Sequence, residues 1–147
     1  MRRISPGAAG AAAILSLVAC HVRTSPEVVA SPSTATLAQI YYWRAKPGML
    51  AAYTAYIRDI AAPIDEDARR HGAFISVTTY QSRDTLSQWT HMRVFLLRDS
   101  AQLAGLGAAL NAAGARVEPD SVKRRARSDY AVTLRDAAGS AVVDILR

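Results

Sequence analysis

Leu37-Ala38-Gln39-Ile40-Tyr41-Tyr42-Trp43-Arg44, cut off by Lys46-Pro47-Gly48, is the stretch on which the fold turns. Its density of Ile, Tyr and Trp predicts a β-strand, and the Pro-Gly pair breaks it. Beyond the break the hydrophobic period changes. Leu50, Tyr53, Ile57, Ile60, Ile64 and Ala68 recur along one stripe of Met49 to His71, which predicts an amphipathic helix left through Gly72 as its C′ residue. Pro63 lies inside that helix, where its missing N–H removes a backbone hydrogen bond and predicts a kink or a split. Ala73 to Gln81 reads as a second strand, Ser82 to Ser87 as a polar turn, and Gln88 to Leu97 as a third strand. Asp99 or Ser100 can cap a helix to about Ala112, and Asp120 or Ser121 another to about Ala137. Ser140 to Leu146, after Gly139, is the fourth strand. The order β-α-β-β-α-(α)-β is that of a split βαβ, ferredoxin-like unit. It predicts the α+β class, with a four-stranded antiparallel sheet and helices on one face.

Lys46-Pro47-Gly48 after an aromatic strand, a helix with internal Pro63 ending in Arg70-His71-Gly72 before Ala73-Phe74, and a later strand containing Trp89 form a combination. It resembles the dimeric α+β barrel superfamily, which includes antibiotic-biosynthesis-type monooxygenases and muconolactone-isomerase-like, EthD-like and NIPSNAP-like proteins. The resemblance covers residues 37–112 and, loosely, the last strand. It is one of element order and punctuation, and no catalytic motif accompanies it. It implies a homodimer that closes a barrel by stacking two sheets.

Strand alternation divides the sheet into two faces. Ala38, Ile40 and Tyr42, with Ile75 and Val77, Met92, Val94 and Leu96, and Val143 and Ile145, form the more uniformly apolar set, expected beneath the helices. The other set mixes aromatics with polar groups: Gln39, Tyr41 and Trp43; Phe74, Ser76, Thr78 and Tyr80; Trp89, His91, Arg93 and Phe95; and Asp144. In a lone sheet those rings would face water, so this face is expected to pair in the homodimer, through Trp43, Trp89 and Phe95. Tyr41, Trp43, Tyr80, Trp89, His91, Arg93 and Asp144 are the candidates for a small-ligand site, since aromatic walls with a few polar groups are its usual form. The same residue types suit an interface core, where Arg93 and Asp144 would form a buried ion pair.

At the other end of the chain, Arg2 and Arg3 precede the uncharged run Gly7 to Ala19, and Leu17-Val18-Ala19 leads to Cys20, the only cysteine. Thirteen uncharged residues fall short of the roughly 17–25 apolar ones that span a bilayer but suit a signal h-region. The ending resembles a bacterial lipobox. That implies a signal peptide over residues 1–19 and a lipid on Cys20 that anchors the protein in the cell envelope. His21, where Asp would signal inner-membrane retention, favours the outer membrane of a Gram-negative host. Residues 20–36, rich in Ser, Thr and Pro, read as a flexible tether. Residues 37–147 are then the folded domain. Loss of Arg2 and Arg3 lowers the net charge of +6 by two.

Other residues point away from familiar chemistry. His21, His71 and His91 lack metal-ligand spacing, and no Gly-rich phosphate loop occurs, so no metal or cofactor is expected. A haem-ligand role for His91 would rest on one strand histidine. His71, before Gly72, suits a helix-end cap. Asp65-Glu66-Asp67 are adjacent and splay around the helix, against a paired-carboxylate mechanism. The basic residues of Arg116–Arg135 read as a solvated helix face, with nucleic acid excluded as a partner for a tethered envelope protein. The favoured reading is a non-enzymatic, membrane-anchored homodimer that binds a small apolar or aromatic ligand or serves a structural role. The alternative is a cofactor-independent monooxygenase acting on an aromatic or polyketide-like molecule. It needs a base, a role that would fall to His91 with Tyr41 or Trp43.

Overall fold

The computed structural model describes residues 34–146. The expected signal, Cys20 and the tether up to residue 33 lie outside them. The chain runs β1 (Leu37–Ala45), α1 (Leu50–Tyr56), a π-helical turn (Ile57–Ala61), α2 (Ala62–Arg70), β2 (Ser76–Gln81), β3 (His91–Leu97), α3 (Ser100–Val117), α4 (Ser121–Leu134) and β4 (Arg135–Asp144). The strands form one sheet in the order β2-β3-β1-β4, with every neighbour antiparallel. This is the α+β ferredoxin-like arrangement that the element order predicts.

Local chemistry accounts for the breaks. Pro63 has no N–H to offer the preceding turn, and it stands in the first turn of α2 directly after the π-turn. The helix is therefore split into two α segments joined by a wider turn rather than ended. Gly72 leaves α2 at φ 77°, and the ring Nδ1 of His71 meets the Asp67 carbonyl at 2.8 Å, a C-terminal cap. The Asp99 carboxylate accepts from the Gln102 N–H, and that of Asp120 from the Val122 and Lys123 N–H groups, so both caps form as expected.

Several boundaries differ from expectation. The second and third strands begin later, at Ser76 and His91, and α3 runs past Ala112 to Val117. The largest difference is at the end: α4 stops at Leu134, and β4 starts at Arg135 rather than Ser140. Arg135, Asp136 and Ala137 pair with Ala45, Arg44 and Trp43, so tertiary pairing overrides a stretch whose local preference is helical. The register shifts between Tyr42 and Trp43, and Gly139, opposite Tyr42, takes φ 128°, which favours glycine.

On β1, β3 and β4 the two sheet faces are the reverse of the expectation, whereas on β2 Val77 lies beneath the helices and Tyr80 on the opposite face, as expected. Leu37, Tyr41, Val77, Phe95 and Leu97 pack with Phe74 against Ile64, Ala68, Leu103, Leu106, Leu110 and Ala113 of the helices. Tyr41, Trp43, His91, Arg93 and Phe95 therefore lie under the helices. The cross-strand partners Ala38–Leu96, Ile40–Val94 and Tyr42–Met92, with Val143 beside Ala38, form the opposite face. Polarity on the covered face is met by polarity from the helices. Asp65, next to Ile64 on the stripe, reaches Arg93, and Thr54 reaches His91, so the mixed set can be buried without stranding a charge.

Candidate functional site

Between the sheet and the helices lies a cavity of about 270 Å³. β1 contributes Tyr41 and Trp43, β3 contributes Arg93 and Phe95, and Arg135 enters from the start of β4. The helical wall is Tyr53, Tyr56, Ile57, Ala61, Ile64, Asp65 and Leu110. The π-turn carries Ile57 and Ala61 to this wall. The volume falls just under the range of about 300–1,000 Å³ usual for drug-sized sites, and the aromatic lining with a few charged groups is characteristic of such sites.

Aromatic contacts build the walls. Tyr41 packs edge-on to Phe95 with ring centroids 5.9 Å apart and lies roughly parallel to Trp43 at 6.5 Å. Tyr53 and Tyr56 lie nearly parallel at 6.3 Å. Burial raises the Tyr53 hydroxyl to about 12, with the charge of Arg135 opposing it, and Tyr56 is raised for the same reason. Both hydroxyls are protonated at neutral pH and can donate.

The charges are arranged unevenly. The Arg93 guanidinium contacts the buried Asp65 carboxylate through Nη2 and reaches the Thr79 hydroxyl through Nε at 3.3 Å. Burial pushes the Asp65 carboxyl above its ordinary range while Arg93 opposes the rise. Arg135 has no such partner among the described residues: its ion pairs are none, and its buried Nε has no hydrogen-bond acceptor. Its guanidinium carbon stands 3.3 Å from the Trp43 ring centroid and 5.5 Å from that of Tyr53. Desolvation lowers its pKa, though an arginine remains charged. Arg135 as a residue is half-buried, and taking part of its charge out of water carries a cost that the contact with Trp43 offsets in part.

Of the residues singled out from the sequence, Tyr41, Trp43 and Arg93 line the cavity together. His91 is buried beside it and does not line it. Its ring meets Tyr53 edge-on at 4.7 Å, with Nε2 3.1 Å from the Thr54 hydroxyl and Nδ1 3.0 Å from that of Thr90. Burial lowers its pKa, so the imidazole is neutral at pH 7. Trp89 lies before β3 and packs on Tyr42, of the other face, at 6.0 Å. Tyr80, the cross-strand partner of Met92, is also on that face and exposed. Asp144 pairs with Leu37 at the far end of β4, whereas Arg93 pairs with Tyr41, so the expected Arg93–Asp144 ion pair is replaced by Arg93–Asp65. The neighbouring acids splay as expected: Glu66 pairs with Arg69 and Arg70, and Asp67 with Arg116.

The sequence reading missed Asp65, Arg135, Tyr53 and Tyr56. Tyr53 and Asp65 had a signal, since the first is on the apolar stripe and the second is next to it. Arg135 had none, because it was placed inside a helix. The basic segment does not act as one face either. Arg127 pairs with Glu118, Arg124 donates to the Glu118 and Pro119 carbonyls, and Arg125 faces Asp129.

Fold and site together define a ferredoxin-like α+β domain with an aromatic, cationic cavity between sheet and helices. The structure is similar to the crystal structure of HapK from Hahella chejuensis, with a TM-score of 0.52, over 75% of this chain and 92% of that chain. At 8% sequence identity the likeness concerns the fold alone. No protein-family model and no curated protein matches the sequence.

Proposed function

We propose that the chain is a lipid-anchored, homodimeric envelope protein of the α+β barrel type that binds a small aromatic ligand within each subunit. The cavity framed by Tyr41, Trp43, Tyr56 and Arg93 carries this reading, because a purely structural core would close such a space with side chains. The Leu17–Cys20 ending supports the anchor, and the half-exposed Ile40, Tyr42, Met92, Val94 and Leu96 support pairing through the sheet face away from the helices. The monooxygenase alternative gains less support: it needs a base facing the substrate, and His91 sits behind Tyr53 with a hydroxyl at each ring nitrogen.

Native mass spectrometry of the full chain, followed by solvent extraction, tests the binding reading. The expected result is a small aromatic molecule that accompanies wild type and is lost from Ala61→Phe, whose added ring fills the cavity. Equal retention by the two proteins would place the ligand elsewhere and refute the reading.

A further inference from the structure

We propose that the cavity selects an organic monoanion, an aromatic carboxylate or a comparably acidic enol, whose charge is received by Arg135. The inference rests on the ligand-binding reading above and adds the charge and polarity of the ligand. Within the cavity wall the described charges are Arg93, Asp65 and Arg135. Arg93 and Asp65 neutralise each other by direct contact, which leaves one cation. That cation is held in place by Trp43, 3.3 Å beneath it, and its buried Nε lacks an acceptor. A guanidinium so placed offers a donor pair to one carboxylate, the geometry in which arginine recognises planar anions.

The rest of the wall fits the same ligand. Tyr41, Trp43, Tyr56 and Phe95 present ring faces and edges suited to a flat apolar body, and the volume limits that body to one or two rings. A dianion would leave a negative charge facing Asp65, and a neutral ligand would leave Arg135 as it is. The aromatic body supplies affinity through burial, and the anion supplies discrimination, because a charged hydrogen bond in a partly desolvated site is stronger than one in water.

Isothermal titration of the purified full chain with 1-naphthoate and with its neutral isostere 1-naphthamide tests the proposal, with titration into detergent alone as the blank. The expected result is binding of 1-naphthoate at least about tenfold tighter than 1-naphthamide. Arg135→Gln should abolish the preference of 1-naphthoate over 1-naphthamide, and Arg135→Lys should retain part of it. Equal binding of the two probes to wild type would overturn the anion proposal and leave the ligand-binding reading standing. Failure of both probes to bind would overturn the proposal together with that reading. The wild-type comparison decides the matter even if Arg135→Gln does not fold.

Discussion

His91 and Asp65 show how a polar residue becomes part of a core. Each is buried and each has a partner across the interface between sheet and helices, the Thr54 hydroxyl for the imidazole and the Arg93 guanidinium for the carboxylate, with the neighbouring Thr90 hydroxyl at the second ring nitrogen. For His91 the folded pKa lies below the ordinary 6.5, so the unfolded chain takes up a proton first. Its contribution to stability is therefore present above pH 6.5 and is lost as the pH falls towards the folded value. His91→Gln should cost about 1–3 kcal/mol at pH 7.5. Its disadvantage should shrink at pH 5, as read from denaturant midpoints of both proteins; a constant difference would mean that His91 does not titrate with folding. Asp65→Asn leaves Arg93 buried without its counter-charge and should cost about 3 kcal/mol. Asp65→Asn with Arg93→Met should recover part of that loss, and a double variant weaker than the single would contradict the pairing.

At the scale of elements, the strand and helix order was legible from periodicity and punctuation, because Pro47-Gly48, Pro63, Gly72 and the caps Asp99 and Asp120 each act locally. The choice of sheet face was not. It rests on which set meets complementary groups from the helices, and Asp65 supplies that complement from a position one residue off the apolar stripe. Ranking the faces by apolarity alone therefore inverted β1, β3 and β4 but not β2, which is why Tyr80 parts from Tyr41, Trp43 and Arg93. The start of β4 was illegible for a related reason: Arg135, Asp136 and Ala137 gain their strand conformation from pairing with β1, not from their own preference. Asp120→Ala should cost about 1 kcal/mol, because the Val122 and Lys123 N–H groups lose their acceptor. Gly139→Ala should cost about 1 kcal/mol or more through its φ of 128° rather than through a clash, since the nearest side-chain atom to the added Cβ is 4.0 Å away. Thermal unfolding of the two variants checks both, and an unchanged Gly139→Ala would argue against the bulge.

The proposed function assigns the molecule two surfaces, an inner cavity for a ligand and an outer sheet face for a second copy. Val94, at the centre of that face, sits between Ile40 and Thr78 in the register. Sedimentation of wild type should give a dimer at micromolar concentration and Val94→Asp a monomer; a folded wild-type monomer would contradict the pairing. Intact-mass analysis should likewise find lipid on Cys20, and an unmodified thiol would remove the anchor. Both proposals above depend on a ligand site in the space between sheet and helices. Its most direct test is an electron-density map of the full chain crystallised as purified or soaked with 1-naphthoate. The expected result is a flat feature stacked among Tyr41, Trp43 and Tyr56 with its charged end at Arg135. A cavity closed by its own side chains, with Arg135 turned to solvent or paired within the chain, would contradict it.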